Sequence, residues 1–190
     1  MESVVVSLSR FVRVTDIMLR AMTGMYQSLG SRAETDCVLV PSFGFQRTAN
    51  GILPGRTNEY LASQAALLAV GRPILAQAEV YDALVDMGAA QQVYKIAARD
   101  KGYFDTRAFL LECMPVLTAH CYRLPLIIAH PHHLPRTQAT AHALGLDISC
   151  PGGLQAVWDK TSEQAWTRSV YTWMPREVVT IYTYARRKWL

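Results

Sequence analysis

The stretch Leu124-Pro125-Leu126-Ile127-Ile128-Ala129-His130-Pro131-His132-His133-Leu134-Pro135-Arg136 decides how this 190-residue chain reads. Residues 124–129 form an unbroken apolar run bounded by Arg123 and His130, the pattern of a strand buried on both faces. Directly behind it, residues 135–144 have helical character and stop at Gly145. A strand that delivers three imidazoles and a guanidinium to the start of a helix is one half of a βαβ unit.

The rest of the chain repeats that alternation. Residues 36–40 (Asp36-Cys37-Val38-Leu39-Val40) are a second short apolar run, and 73–76 and 93–96 are further candidate strands. Residues 41–57 hold Pro41, Gly44, Asn50, Gly51, Pro54 and Gly55, which argues against regular structure through most of the stretch. Loops that long are usually functional. Thr57 or Asn58 is expected to cap a helix that runs to Gly71, and 80–87 reads as a short helix ending at Gly88. Residues 106–120 read as a helix with a kink at Pro115. Leu146-Asp147-Ile148-Ser149-Cys150 is a candidate last strand. Two helices separated near Pro175 follow, the second with Val179, Tyr182, Ala185 and Trp189 at helical steps. At the other terminus, residues 8–29 carry apolar side chains every three or four positions, an amphipathic helix ended by Gly30.

Strands alternating with helices predict an α/β fold: a single domain built as a three-layer α/β/α sandwich around a mostly parallel, Rossmann-like sheet. Residues 36–150 are its core, 1–30 its N-terminal helix and 155–190 its C-terminal helices. Ligands of such sheets bind outside the carboxyl ends of the strands. That rule selects the loops 41–57, 97–105 and 130–136.

Composition agrees with one core-rich domain. Hydrophobic residues make up 51% of the chain and charged residues only 18%, which excludes intrinsic disorder. The net charge of +4 comes from 19 Lys and Arg against 15 Asp and Glu, without a basic run longer than Arg186-Arg187-Lys188, and argues against a nucleic-acid binder. Cys37, Cys113, Cys121 and Cys150 are scattered without a CxxC pair, which reads as a reducing, cytoplasmic setting. Arg10, Arg13, Asp16 and Arg20 interrupt the N-terminal helix, so neither a membrane span nor a signal peptide is expected.

Three constellations carry chemistry. His130, His132, His133 and Arg136 lie at a strand end and helix start, where backbone N–H groups favour anions. HxHH also allows a metal site, with Asp100 or Asp105 as a third ligand. Asp100 and Asp105-Thr106-Arg107 precede a helix, which Asp105 or Thr106 can simply cap. The functional reading adds Asp100 as a carboxylate for a ribose hydroxyl, an amine or a proton, with Arg107 as an anion clamp. Ser42-Phe43-Gly44, with Arg47, Arg56 and Asn58, follows the first strand. The chain lacks GxGxxG, GxxxxGK[ST] and GxSxG, which argues against an ordinary nicotinamide or flavin site, a P-loop ATPase and an α/β hydrolase.

Taken in order, these loops resemble the YdcF/SanA/ElyC family of bacterial domains. His133 and Arg136 fall on the His and Arg of its strand-end motif T-S-x-x-H-x-x-R. Asp100 and Asp105-Thr106 fall on its middle motif. Residues 38–44 match its first strand and loop, and Arg56-Thr57-Asn58 resembles the opening of its first crossover helix. The likeness spans residues 36–190 and departs from the family at Ser42-Phe43-Gly44, Gln77-Ala78-Glu79 and Ala108-Phe109. It implies a Rossmann-like sandwich and, in some members, a nucleotide-type ligand such as S-adenosylmethionine. Many members carry membrane anchors, and no anchor is read in this sequence.

The expected function is a cytoplasmic enzyme that binds a small anionic or nucleotide-like cosubstrate, S-adenosylmethionine by preference, and transfers a group to a small molecule. His133, Asp100 and Asp105 are its expected catalytic residues. Ser42, Gly44, Arg56, Asn58, Thr106, Arg107, His130 and Arg136 are its expected cosubstrate-binding residues, with no metal favoured. Arg136 is expected to act as an anion clamp whose removal leaves the fold nearly intact. One alternative is a non-catalytic binding or interaction module that uses Trp158, Trp166, Tyr171, Trp173, Tyr182, Tyr184 and Trp189, with a homodimer through the terminal helices. The other is a metal-dependent hydrolase built on His130, His132 and His133.

Overall fold

The computed structural model describes residues 2–49, 51–89, 92–97 and 104–190, with side chains from residue 12 onward. Asp100 and most of the 97–105 loop lie outside the described residues.

Four parallel strands form the central sheet: β1 (Cys37–Val40), β4 (Ile74–Gln77), β5 (Val93–Ile96) and β6 (Pro125–Ile127). Their order is β5-β4-β1-β6. Val38 pairs with Ile74 on one side and Leu126 on the other, and Leu39 pairs with Leu75 and Ile127. All four β1 residues are fully buried, as expected of a central strand covered on both faces. The remaining strands, β2 (Gln46–Thr48) and β3 (Gly51–Leu53), form an antiparallel hairpin inside the stretch that the sequence reads as irregular. Gly51 opens the second arm, opposite Thr48, and Pro54 follows it, so the two arms of three residues pair despite the breakers around them.

Helices α2 (Gly55–Ala69) and α3 (Ala78–Asp86) pack together against one face of the sheet. On the other side α4 (Thr106–Ala119) packs on α5 (Leu134–Ala143), and α1 (Glu2–Thr23) lies on α5 and on α6 (Val170–Arg186). The result is an α/β/α sandwich. From β1 the chain steps outward to β4 and β5, then returns past β1 to β6. The direction of travel therefore reverses between β1 and β6, a topological switch point.

Several element ends differ from the sequence reading for identifiable reasons. Helix α1 stops at Thr23, six residues before Leu29. Gly24 turns the chain at a φ of +67°, and Leu29 then exchanges two backbone hydrogen bonds with Cys150. Neither Thr57 nor Asn58 caps α2. Pro54 is the N-cap residue, and the carboxylate of Asp159 accepts from the N–H of Arg56 at 3.1 Å. The last candidate strand is reduced to single bridges, Ser149 with Leu126 and Cys150 with Leu29, because the chain changes partner within two residues. Pro175 does not split the C-terminal region into two helices. A capping box at Ser169 and Thr172 nucleates one continuous α6, preceded by a single 3-10 turn (Ala165–Thr167). Pro115 likewise lies within a continuous α4. Asp105 does cap that helix, its carboxylate accepting from the N–H of Ala108 at 2.9 Å. No described helix is long and apolar enough to cross a membrane.

Candidate ligand-binding site at the strand ends

The carboxyl ends of β1 and β4 open onto a cavity of about 530 Å³. Its walls are the loop after β1 (Pro41, Ser42, Phe43, Gly44), Gln77 at the end of β4, the start of α4 (Phe104, Asp105, Thr106), His133 and Arg136 of α5, and one face of α6. This volume lies within the range of roughly 300–1,000 Å³ usual for small-molecule sites.

The β1 loop is held by side chains that reach its backbone. The Ser42 N–H donates to Gln77 Oε1 at 3.1 Å, and the Phe43 N–H to Asn58 Oδ1 at 2.8 Å. The Asn58 amide donates in turn to the carbonyls of Gly44 (2.7 Å) and Pro54 (2.8 Å). Asn58 is fully buried and supports the wall from behind. Gly44 has a φ of +78°, and a Cβ there would stand 2.5 Å from Thr167 Oγ1 and 2.6 Å from Ser162 Oγ. Both the backbone angle and the close approach require glycine.

On the facing wall four side chains form one buried network. Arg136 Nε donates to Glu177 Oε1 at 2.8 Å, with the two side chains only 6% and 3% exposed. Arg136 Nη1 donates to Thr106 Oγ1 at 2.6 Å, and that hydroxyl lies 2.7 Å from His133 Nε2. The Arg136 guanidinium also lies 5.2 Å from the centre of the Tyr184 ring. Burial, reinforced by Arg136, holds His133 well below the usual histidine range, so the imidazole is neutral at pH 7. Burial pushes the Glu177 carboxyl up, opposed by the Arg136 guanidinium. Burial also pushes up the Tyr184 hydroxyl, which hydrogen-bonds Asp105.

Of the expected site residues among the described ones, Ser42, Gly44, Asp105, Thr106, His133 and Arg136 line the cavity, whereas Arg56, Asn58, Arg107 and His130 do not; Asp100 lies outside the described residues. His130 is buried behind Phe43, its ring stacked on the phenyl at 4.1 Å and 10°, with Trp158 edge-on at 4.4 Å. His132 points to α1, its Nδ1–H donating to the Ala21 carbonyl at 2.7 Å. The three imidazoles consequently do not converge. Among the described residues no group of three His, Cys, Asp or Glu side chains is placed to hold a metal ion. Arg56 is exposed, and its backbone N–H, not its guanidinium, meets Asp159. Asn58 supports the loop from within the core. Arg107 lies on the Trp189 ring, 4.7 Å from its centre. Arg136 is a buried structural partner of Glu177 and cannot be removed without exposing that carboxylate to an uncompensated interior, which corrects the expectation that the fold would barely notice its loss.

Gln77, Trp173, Arg176 and Tyr184 line the cavity, and Glu177 stands behind it; none was singled out as a site residue from sequence. The buried face of α6 is Trp173, Glu177, Ile181, Tyr184 and Ala185, not the face of Val179 and Tyr182, which are exposed. A glutamate in register with an apolar stripe was the available signal. Of the aromatic residues assigned to an interaction surface, Trp166 and Trp173 line the cavity and Trp158 packs on His130, whereas Tyr171 and Tyr182 are exposed.

No family model, curated protein or solved structure matches the chain.

Proposed function

We propose that the chain is an enzyme that binds a nucleotide-like cosubstrate, S-adenosylmethionine first among the candidates, in the strand-end cavity and transfers a group from it to a small molecule. The observation that carries this reading is the meeting of Thr106, His133 and Arg136, which belong to two separate sequence motifs, in one network on a cavity wall near the topological switch point. The same residues carry the resemblance to YdcF-like domains.

The lining suits such a ligand. Trp166, Trp173, Phe43 and Phe104 offer aromatic surface for a purine ring and for a sulfonium cation. Asp105 lies half-buried on the wall and offers a carboxylate that can accept from ribose hydroxyls. Bound there, S-adenosylmethionine supplies an electrophilic methyl carbon. Such transfer depends chiefly on alignment of donor and acceptor, so the protein's task is positioning. A neutral His133 and an ion-paired Arg136 fit this role: they fix Thr106 and the wall and need not exchange a proton with solvent.

The test is thermal denaturation with S-adenosylmethionine, S-adenosylhomocysteine and AMP. A ligand at a hundred times its Kd stabilises by ~2.7 kcal/mol, roughly 5–11 °C for a domain of this size. Absence of any shift up to millimolar ligand would overturn the nucleotide reading.

A further inference from the structure

Gln77 stands at the carboxyl end of β4, beside the loop that leaves β1. The two strands run parallel in a register that sets Val40 against Ala76, so Gln77 and Ser42 follow on adjacent strand ends. Gln77 is the N-cap residue of α3, yet its side chain makes no capping bond. It turns to the neighbouring loop instead, where the Ser42 N–H donates to Oε1 at 3.1 Å. That bond fixes which branch of the carboxamide is which. A backbone N–H can only donate, so the atom facing it is the oxygen and the other branch is the nitrogen.

Gln77 Nε2, with two protons to give, has no hydrogen-bond partner among the described residues, and neither has the Ser42 hydroxyl. Neither atom is sealed in the interior: both keep accessible surface, and both residues are half-buried and line the cavity. The bond that locks the loop needs only the oxygen, which leaves the two N–H groups to the occupant of the cavity. The charge near this donor is negative. Glu79 stands in the first turn of α3, two residues after Gln77, where the helix dipole favours an anion and the chain supplies one itself. The cations of the cavity, Arg136, Arg176 and Arg187, all belong to α5 and α6, across from the β1 loop.

We infer that Gln77 Nε2, with the Ser42 hydroxyl as a second contact, binds an uncharged hydrogen-bond acceptor of the ligand: a ring nitrogen or a carbonyl oxygen. The subsite rests on the reading of the cavity as a nucleotide-like site and adds the group that the ligand presents to the β1 and β4 ends. The ring nitrogens of a purine and the carbonyls of a pyrimidine both supply it. Selectivity comes from polarity, because a ligand that places a donor against Gln77 Nε2 leaves two donors facing each other unpaired.

The substitution Gln77→Glu reverses polarity at one atom. It keeps an oxygen for the Ser42 N–H and replaces the amide nitrogen by an acceptor of nearly the same shape. The experiment uses ¹⁵N-labelled full-length protein, with the Gln77 carboxamide signals assigned by their absence from the Gln77→Glu spectrum. Its probes are adenosine (ring nitrogens), uridine (base carbonyls) and L-methionine (a charged carboxylate without a base). The expected result is a downfield shift of the Gln77 carboxamide protons with adenosine or uridine and none with L-methionine; the nucleoside that responds names the source of the acceptor. Gln77→Glu is expected to weaken that nucleoside roughly 10- to 100-fold. Nucleoside binding unchanged in Gln77→Glu keeps the nucleotide reading and overturns the subsite. A carboxamide shift with L-methionine overturns the uncharged class and the subsite with it. The subsite is equally overturned, whether or not the variant folds, if no probe moves the carboxamide of the wild-type protein at millimolar concentration. Thermal denaturation with S-adenosylmethionine then still decides the nucleotide reading by itself.

Discussion

Arg136 of α5 and Glu177 of α6 stand 2.8 Å apart with both side chains almost wholly removed from solvent, and the guanidinium continues from there to the Thr106 hydroxyl at the head of α4. Three helices from separate parts of the chain are thus joined by one buried charge pair. Removal of either partner leaves an uncompensated charge in a low-dielectric interior, at a cost of about 3–5 kcal/mol. Arg136→Ala and Glu177→Ala are each expected to lower the melting temperature by roughly 6–20 °C. The double substitution Arg136→Met with Glu177→Leu, which replaces both charges by apolar volume, is expected to recover most of that loss. Thermal melts of the four proteins measure it, and equal stability of Arg136→Ala and wild type would refute the buried-pair account.

The histidines make a prediction about pH. Burial lowers the pKa of His130, His132 and His133, so each folded value lies below the unfolded value of ~6.5. Unfolding then takes up protons in the interval between the two values. The stability these residues contribute is complete above pH ~6.5 and is lost as pH falls toward the folded values, at up to about 1.4 kcal/mol per pH unit for each histidine. Glu177, whose carboxyl is raised, acts in the opposite sense in wild type and variant alike. The urea midpoint is therefore expected to drop between pH 7.5 and 5.5, and His133→Gln is expected to reduce the slope by about one proton's worth. An unchanged slope in that variant would show that His133 is protonated in the folded protein.

Parts of this molecule were legible in its sequence because single residue types report single physical demands. The apolar runs at 37–40 and 125–127 have no polar face, and a parallel sheet covered on both sides is a common place for such runs. Asp105 before an apolar-periodic stretch is a cap, and it caps. The convergence of Asp105-Thr106 with His133 and Arg136 follows from strand ends sharing one edge of the sheet. The remainder depends on contacts between distant parts of the chain, which local pattern does not carry. Nothing near Asn58 reveals that its amide will hold the loop 43–44 instead of capping α2, because Asp159 supplies that cap from 103 residues away. Nothing near Arg136 names Glu177 as its partner. The His130-Pro131-His132-His133 segment looks like one cluster, yet its three rings serve a Phe43 stack, the end of α1 and the cavity wall separately.

Gly44 sets the shape of the cavity wall. Its φ of +78° and the two hydroxyls within 2.6 Å of a Cβ position leave no room for a side chain. Left-handed backbone costs a non-glycine residue roughly 1–2 kcal/mol, and the overlap with Thr167 and Ser162 adds roughly 1–3 kcal/mol. Gly44→Ala is expected to destabilise by roughly 2–5 kcal/mol. In the pair Gly44→Ala with Thr167→Ala, which removes the nearest hydroxyl, part of the overlap is relieved and the backbone cost remains. Thermal melts of the two variants separate those contributions, and a Gly44→Ala protein as stable as wild type would mean that the loop adopts a different path.

Arg56 and Asn58 lie two residues apart on α2 and are expected to behave oppositely. The Arg56 side chain is exposed, and its backbone N–H, not its guanidinium, meets Asp159. Arg56→Ala keeps that bond and is expected to change stability by no more than about 0.5 kcal/mol and ligand affinity by no more than about twofold. Asn58 is fully buried and satisfies the Phe43 N–H and the carbonyls of Gly44 and Pro54 at once. Asn58→Ala orphans all three, each worth about 1–3 kcal/mol when unsatisfied in the interior. Partial relaxation and water entry recover some of this, so a loss of roughly 3–5 kcal/mol is expected. Asn58→Asp retains only the acceptor for Phe43 and places a carboxylate against two carbonyl oxygens, so it is expected to be at least as damaging as alanine. Binding of a nucleoside probe at a temperature where all the variants remain folded then gives the functional readout. Asn58→Ala is expected to weaken it through the displaced loop, whereas Arg56→Ala is not, and a strong effect of Arg56→Ala on binding would return that side chain to the ligand site.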